Sequence, residues 1–386
     1  MSTTYRFIEP LDVLFLRGNK LFGDAGSHGE SLVPPWPSVA AGALRSLLLA
    51  HDGFDLSAFA RGSRAHPTLG TPQQPGPFTL TGFDLARRRS NGQIECLHAL
   101  PADLLLTVDE HGQQQLSRLQ PQAPAAGLVS SAALMQWPVL AQPSRAKPVG
   151  GHWLTQAGWA DYLHGRTPAI AQLVSVSQLW RLDARVGVGL DEASRSAADG
   201  KLFTAQAVAF QRDVGFLAAV QGAELPKKGV LRLGGDGRGA ALLPADHAPP
   251  AAPWDAIASA RRCRIVLTTP GLFAQGWLPT GVTGAKGVTG VSGMTGDPRF
   301  ALQGISGRLV CAAVPRAAVV SGWSLAQGQP KPAERAAPSG SVYWIDDLDA
   351  TPAQLRKLAE QGLWADANQN ASRRAEGFNR FSFAAL

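Results

Sequence analysis

The stretch Tyr5-Arg-Phe-Ile-Glu-Pro-Leu-Asp-Val-Leu-Phe-Leu16 and the segment that opens with Pro34-Pro-Trp-Pro-Ser38 decide the fold class. The first is rich in aromatic and branched residues, which predicts a strand bent at Pro10. The second predicts a helix of about three turns with Ser38 as its N-cap, because apolar residues then recur at helical spacing: Val39, Ala40, Ala43, Leu44, Leu47 and Leu48. A strand, a Gly-rich loop and a helix in this order indicate an α+β domain whose helix N-terminus faces a ligand.

The rest of the chain alternates short predicted strands with loops rich in Pro and Gly. Strand patterns precede a break near Trp254, at 185–191, 201–210, 214–220 and 230–233, and others follow it, at 264–269, 307–314 and 317–323. Thr351-Pro-Ala-Gln354 is a capping-box sequence with Pro at the first helical position, and it predicts a helix that stops at Gly362. At roughly 100–200 residues per domain, we expect two domains, 1–253 and 254–386.

The composition points to an acidic partner and excludes several classes of protein. Lys and Arg number 36 against 29 Asp and Glu, a net charge of +7. The three cysteines, Cys96, Cys263 and Cys311, lie far apart, and the eight histidines form no HxxxH or HExxH pair, so we expect no disulfide framework, metal or cofactor. The chain lacks a signal-peptide pattern and an apolar run of membrane-spanning length. These features predict a cytoplasmic protein without membrane contact.

The sharpest local motif is Gly234-Gly-Asp-Gly-Arg-Gly239. Four glycines in six residues let the backbone approach a phosphate or base and direct successive N–H groups at it. The motif is not a Walker loop, because the GxxxxGK[ST] spacing and its Lys are missing. Two interpretations stay open at this point: a tight turn between strands, or a direct contact with nucleic acid.

Cationic side chains near Gly-rich loops suit phosphate contacts made from several loops at once. They are Arg17, Lys20, Arg238, Lys286, Arg299, Arg308, Arg373, Arg374 and Arg380. Arg45 sits on the first predicted helix among apolar neighbours, where it is either a snorkelling stem or a phosphate ligand. His28 is either a general base for metal-free RNA cleavage or polar surface.

Several ordered blocks resemble one family. Pro10 to Arg17 and Glu30 to Arg45 look like the N-terminal signature of the third subunit of type III-B CRISPR (Cmr) effector complexes, a RAMP superfamily family. The blocks 185–191 with 200–204, 234–239, 321–344 and 362–380 resemble further family motifs in the same order. One departure is Asn379, where the closing motif is expected to carry Gly.

This resemblance implies two ferredoxin-like, RRM-related domains with Gly-rich loops and insertions, one in 1–253 and one in 254–386. It also implies a non-catalytic RNA-binding scaffold that holds the 5′ handle of the CRISPR RNA. The partners would be the large polymerase-like subunit and a neighbouring backbone subunit, with RNA cleavage and cyclic oligoadenylate synthesis on other subunits. The motif positions that it marks for RNA binding are Ser38, Arg45, Gly234, Gly235, Asp236, Gly237, Arg238 and Arg380.

Two alternatives remain open from the residues. The first is a metal-independent endoribonuclease that processes CRISPR precursor RNA, motivated by related folds and by His28. The second is a purely protein-binding scaffold whose basic loops meet an acidic neighbour. Large side chains in loops, namely Phe22, Trp36 and Trp277, are candidates for stacking on exposed bases.

Overall fold

A computed structural model describes residues 2–18, 28–128, 134–141, 147–191, 193–284, 298–324, 326–366 and 368–386. Over these residues the chain is a mixed α/β protein with mostly antiparallel sheets and few helices. Among them, no helix is both long and apolar enough to cross a membrane. The predicted mixture of strands and helices is therefore confirmed at this level.

The secondary structure is dominated by short strands. The helices are α1 (Pro37–His51), α2 (Leu56–Ala60), α3 (Gln156–Leu163), α4 (Trp254–Ala260), α5 (Pro352–Gln361) and α6 (Ala371–Ala375). The strands are β1 (Thr4–Pro10), β2 (His28–Gly29), β3 (Thr79–Arg88), β4 (Ile94–Ala99), β5 (Leu104–Val108), β6 (Gln114–Arg118), β7 (Gln120–Gln122), β8 (Trp137–Val139), β9 (Lys147–Pro148), β10 (His152–Leu154), β11 (Leu173–Ser175), β12 (Trp180–Leu190), β13 (Ala197–Phe210), β14 (Val214–Gln221), β15 (Gly229–Arg232), β16 (Gly239–Pro244), β17 (Cys263–Leu267), β18 (Val282–Thr283), β19 (Arg299–Leu302), β20 (Ile305–Ala313), β21 (Ala318–Val320), β22 (Trp323–Ser324), β23 (Gln329–Pro330), β24 (Glu334–Ala336), β25 (Val342–Asp349) and β26 (Phe381–Ala384).

The chain divides into two compact units that interleave along the sequence. Unit 1 comprises residues 1–96, 175–247 and 320–333, and unit 2 comprises 97–174, 248–319 and 334–386. Each unit thus collects segments from distant parts of the chain. The division into domains 1–253 and 254–386 stays a prediction.

Unit 1 is built on an antiparallel sheet with the strand order β3-β14-β1-β16-β15. Its core includes Phe7 and Phe216, both fully buried. Helix α1 packs on β3 and β15 and buries the apolar positions that the sequence marked, among them Leu44 and Leu48. Strand β1 and helix α1 confirm two elements of the predicted opening, but β1 ends at Pro10, and beyond it Leu14 and Phe15 form only isolated bridges. The predicted Gly-rich loop lies partly outside the described residues.

The predicted N-cap of α1 is wrong. The helix begins at Pro37, its N-cap is Trp36, and no side chain caps it. Pro is well suited to the first helical position because it has no N–H that needs a partner, and this places Ser38 one residue inside the helix. The backbone N–H of Val39 donates to the carbonyl of Trp36 at 2.9 Å.

A long hairpin of β12 and β13 is the largest addition to unit 1. Its strands are 11 and 14 residues long and pair antiparallel from Trp180↔Phe210 to Leu190↔Ala197. Strand β13 also pairs in parallel with the backbone of β2, which leaves β12 at the edge of its three-stranded sheet. The hairpin was predicted as separate short strands, so its full length is a structural finding.

Unit 2 is built on an antiparallel sheet with the order β18-β19-β20-β25-β17-β26. Helix α5 packs against β26 and buries Leu355 and Leu358. The capping box at Thr351 is confirmed: its backbone N–H donates to the Gln354 side chain at 2.8 Å, and its hydroxyl oxygen accepts from the Gln354 N–H at 3.3 Å. The helix ends at Gly362, as the sequence predicts.

A buried ion pair lies within unit 2. Arg264 and Asp103 are both fully buried, and Nη1 of Arg264 donates to Oδ2 of Asp103 at 2.6 Å. The hydroxyl of Tyr162 donates to the other Asp103 oxygen at 2.8 Å. Arg264 also donates to the Tyr162 and Ala385 carbonyls. The pair thus links β17 to α3, to the residues before β5 and to the chain beyond β26.

Candidate nucleic-acid interface

The Gly-rich motif forms a tight turn between β15 and β16. The N–H of Leu233 donates to the Arg238 carbonyl at 2.9 Å. Gly234, Asp236 and Gly237 adopt positive φ angles of 80°, 57° and 65°, a region that Gly and Asp tolerate better than most residues. The N–H of Gly235 donates to the Phe15 carbonyl at 2.8 Å and so fixes the turn against the segment after β1.

Three arginines gather around Phe15, and we call Arg17, Arg185 and Arg238 the arginine cluster. The guanidinium of Arg238 lies 5.3 Å from the centre of the Phe15 ring, and that of Arg185 lies 6.0 Å from it. Arg17 contacts the turn itself, since its Nη2 lies 3.3 Å from Oδ1 of Asp236. Arg17 and Arg238 therefore lie at the Gly-rich turn, and Arg185 reaches the Phe15 ring against which the turn is fixed.

Two aspartates hold Arg17 and Arg238 loosely. Nη1 of Arg238 donates to Oδ2 of Asp12 at 2.7 Å, and the Asp12 side chain is 60% exposed. In the Arg17–Asp236 pair both side chains are about half exposed. Ion pairs at such exposed sites stabilise a fold by roughly 0–1 kcal/mol. A phosphate can therefore take the place of either carboxylate at little cost in stability.

The hairpin presents two chemically different faces, because alternate residues of a strand point to opposite sides. Arg185, Gly187 and Gly189 share one face, opposite Phe203 and Lys201 of β13. A Cβ on Gly187 would lie 2.4 Å from the end of the Phe203 ring, so a larger residue there would displace that ring. The contact of Arg185 with Phe15 places this face towards the arginine cluster.

The other face of β12 is an apolar stripe of exposed residues. Its members are Leu182, Val186, Val188 and Leu190, with Leu202 of β13 beside them. Val186 is 69% exposed. Exposed apolar side chains in a row on an edge strand are typical of a surface that another chain covers.

Ser38 and Arg45 lie on α1. Ser38 is half-buried in the first helical turn. Arg45 is also half-buried, and its guanidinium lies 5.2 Å from the centre of the Phe78 ring. This contact is a cation–π interaction, and the assignment of Arg45 to RNA stays a prediction. The contacts of the Gly-rich turn run instead to residues 12–17.

Arg380 belongs to unit 2 and is buried. Its Nη1 donates to the Glu360 carbonyl at 2.6 Å, and its backbone N–H donates to the Thr269 hydroxyl oxygen at 3.0 Å. Burial and then the nearby Arg374 charge lower its pKa to about 10. This geometry favours a structural role for Arg380, and its assignment to RNA stays a prediction.

Two further cationic candidates are paired with carboxylates, and others lie outside the described residues. Arg308 pairs with Asp347 at 3.1 Å, and the buried Arg373 pairs with Glu334 at 2.6 Å. Lys20, Phe22 and Lys286 lie outside the described residues. The backbone of His28 pairs with Thr204, but its side chain also lies outside them.

Sequence analysis did not identify Asp12, Phe15 and Arg185 as site residues. The first two lie in the first predicted strand and Arg185 lies in the Arg185-Val-Gly-Val-Gly stretch, and their sequence context is that of ordinary strand residues. The sequence signal that could have identified Arg185 is the stretch 185–190, in which glycines alternate with apolar residues. Such glycines indicate the close approach of another group, which here is the Phe203 ring.

Comparison with known proteins decides the family. The family model for CRISPR-associated protein (Cas_Cmr3) matches residues 6–382. The chain belongs to this family. This chain is also similar to chains in two cryo-EM structures of the type III-B Cmr-beta, one bound to cognate target RNA and one bound to cognate target RNA and AMPPnP. The first comparison has a TM-score of 0.48 and 13% identity and covers 98% of this chain and 96% of the other. The second has a TM-score of 0.48 and 14% identity and covers 98% of each chain. The search of curated proteins returned no match.

Proposed function

We propose that the chain is a non-catalytic RNA-binding subunit of a type III-B Cmr effector complex and that it holds the 5′ handle of the CRISPR RNA. The observation that carries the proposal is the arginine cluster beside the Gly-rich turn. Membership of the Cas_Cmr3 family supports the assignment to a CRISPR complex. The net charge of +7 suits an anionic partner.

The cluster has the chemistry of a phosphate-binding surface. Guanidinium groups recognise phosphate through paired, charge-assisted hydrogen bonds. Arg17 and Arg238 are oriented by exposed aspartates that a phosphate can replace. Gly237 has open space around its Cβ position, so an RNA backbone can come close to the turn. Handle RNA is single-stranded and can follow such an irregular surface.

The strand order supports a ferredoxin-like fold for each unit. In unit 1, β1, β3, β14 and β16 correspond in chain order to the four strands of a βαββαβ pattern, and α1 follows the first of them. Across the sheet they lie in the order second, third, first, fourth. In unit 2 the order β20-β25-β17-β26 repeats this arrangement, with α5 before the fourth strand. Within the described residues, one helix of the full pattern is assigned in each unit, α1 in unit 1 and α5 in unit 2. Insertions such as the β12–β13 hairpin account for the extra length.

The proposed protein partners are the large polymerase-like subunit and a neighbouring backbone subunit. The apolar stripe on β12 supports a protein partner, because its exposed side chains are uncharged. We expect the Val186→Asp variant to recover far less of the other complex subunits in a pull-down than the wild-type chain does. The free energy of unfolding should change by roughly 0.5 kcal/mol or less, as for exposed sites in general.

Leu128→Asp is the matched control for the stripe. Leu128 is also an exposed apolar residue, at 58%, but it belongs to unit 2. Pull-down of the tagged chain with its complex measures both variants. Equal recovery of partner subunits with wild type, Val186→Asp and Leu128→Asp would remove the stripe from the proposal.

RNA binding by an Arg238→Ala variant tests the proposed function. We expect the affinity for handle RNA to fall about 3- to 10-fold and the slope of log K against log salt to become shallower by about one, because one phosphate contact is lost. Fluorescence anisotropy across a salt series measures both quantities. Arg356→Ala removes an exposed arginine from α5 of unit 2 and is the matched control.

The same titrations separate this proposal from its rivals. Identical affinities and slopes for wild type, Arg238→Ala and Arg356→Ala would refute the assignment of the cluster. Product length is followed in parallel with precursor RNA and EDTA. Defined cleavage that disappears in His28→Ala would favour the endoribonuclease, whereas intact precursor agrees with a non-catalytic clamp.

A further inference from the structure

A second surface feature lies in unit 2, separate from the arginine cluster. It is a cavity of about 380 Å³ beside Trp277 and Arg335, which we call the Trp277 cavity. Its remaining walls are mostly apolar and include Leu134, Val314 and Ala336. Small-molecule sites are concave, largely apolar and begin at about 300 Å³. The cavity therefore has the size and lining of a site for one small organic group.

The aromatic wall is fixed in place before any ligand arrives. Trp277 follows a turn in which the N–H of Gly276 donates to the Phe273 carbonyl at 3.1 Å. Its own carbonyl accepts a hydrogen bond from the hydroxyl of the buried Tyr343 at 2.7 Å. Part of the side chain packs against the core of unit 2, and Trp277 also lines the cavity. Little rearrangement is then needed for a flat group to stack on it.

Among the described lining residues, the charged side chain is Arg335. Arg335 is exposed and has no ion-pair or hydrogen-bond partner for its guanidinium among the residues that the structure describes. No carboxylate occurs among the described lining residues. An anionic group is therefore favoured at this rim, and a metal cation is disfavoured. The neighbouring Glu334 is engaged elsewhere, with Arg373 at 2.6 Å.

We propose that the Trp277 cavity binds one nucleotide, with its base against Trp277 and its phosphate at Arg335. A ligand that matches this site must combine a flat aromatic part with a negative charge, and a nucleotide has both. Base–aromatic stacking is tolerant of sequence because every base has a π-face. The site carries no group suited to acid–base chemistry in its described lining, so its role is binding. The inference rests on the proposed function in one respect: that function makes RNA the source of the bound nucleotide.

The test uses the full chain with three probes: hexa-adenylate RNA, AMP and ribose 5-phosphate. Calorimetry is run in the wild-type chain and in the Arg238→Ala background, so that binding at the arginine cluster is separated from binding at the cavity. We expect Trp277→Leu to weaken hexa-adenylate binding about 5- to 160-fold, the range given by loss of one stacked base. Trp277→Phe should retain part of the affinity, because it keeps a ring.

Arg335→Ala should weaken hexa-adenylate binding about 3- to 10-fold and flatten its salt dependence, while the exposed control Arg356→Ala should not. Arg335 is exposed, so this variant tests the site even if Trp277→Leu fails to fold.

If the cavity variants bind only hexa-adenylate more weakly, the site is assigned to RNA. If they also bind AMP more weakly, the site takes free nucleotides as well. Equal effects on ribose 5-phosphate and AMP would contradict stacking.

Unchanged binding of both nucleotide probes to Trp277→Leu and Arg335→Ala overturns the inference, as does preference of the cavity for an acidic peptide such as hexaglutamate over hexa-adenylate. If Arg238→Ala weakens RNA binding and the cavity variants do not, the proposed function stands and only this inference fails. If the cavity variants weaken it and Arg238→Ala does not, the assignment of the arginine cluster fails instead.

Discussion

Replacement of Asp103 by alanine is expected to lower the free energy of unfolding by about 3–5 kcal/mol, the effect of removing one partner from a buried ion pair. Arg264 would remain buried and charged, and the acceptors left to it in the described part of the chain would be the Tyr162 and Ala385 carbonyls. The Tyr162 hydroxyl would also lose its acceptor, because it donates to Oδ1 of Asp103 at 2.8 Å. Urea unfolding followed by circular dichroism measures the change.

Asp183→Ala is the matched control for this ion pair. Asp183 pairs with Arg185 at 2.9 Å, but both side chains are nearly half exposed. Exposed pairs stabilise by roughly 0–1 kcal/mol, so the control should unfold close to wild type. Equal midpoints for Asp103→Ala and Asp183→Ala would contradict the importance of the buried pair.

A double replacement keeps the test usable if Asp103→Ala fails to fold. Arg264→Met with Asp103→Leu removes both charges and fills their space with apolar atoms. Such exchanges are often neutral or stabilising, because the cost of burying charge disappears with the attraction. We therefore expect the double variant to be more stable than Asp103→Ala. A double variant at least as unstable as Asp103→Ala would argue against this explanation.

Asn379→Ala is expected to destabilise the chain by about 3 kcal/mol or more, through lost hydrogen bonds and backbone strain. Asn379 is fully buried and has a φ of 59°. Its Oδ1 accepts from the Leu272 N–H at 2.6 Å, and its Nδ2 donates to the carbonyls of Leu272 and Leu363 at 3.3 and 3.1 Å. Alanine would leave these backbone groups without their partner and would not favour a positive φ.

Asn379→Gly separates the two causes. Glycine adopts a positive φ without strain but makes none of the three side-chain hydrogen bonds. The expected order of unfolding midpoints is therefore wild type, then Asn379→Gly, then Asn379→Ala. A glycine variant as stable as wild type would show that the side-chain bonds contribute little. This arrangement also gives a physical reason for Asn at the position where the family resemblance suggested Gly.

Local sequence signals predicted local structure well. The capping box at Thr351 and the stop at Gly362 fix both ends of α5, because each acts through backbone groups a few residues away. The Gly-rich motif was expected to allow a tight turn, and the structure contains one between β15 and β16. Ser38 was misplaced as an N-cap because Pro37 is itself suited to the first position of α1.

The candidate site was harder to predict because it depends on contacts between distant residues. The turn at 234–239 meets Asp12, Phe15 and Arg17 more than 200 positions earlier in the chain, through ladders that only the sheet topology brings together. Burial is equally non-local: Arg380 has the sequence context of a loop cation, yet it packs within unit 2. Charge and glycine content therefore marked the turn, Arg238 and Arg17 in the sequence, but not Asp12, Phe15 and Arg185 beside them.

The central claim is that this chain holds handle RNA at the arginine cluster, and crosslinking tests it most directly. The complex would be assembled on CRISPR RNA that carries photoreactive 4-thiouridine at successive handle positions, irradiated, and analysed by mass spectrometry. The account predicts crosslinks on the peptides that contain Phe15 and residues 234–239. Handle crosslinks confined to other subunits, with none on these two peptides, would contradict it.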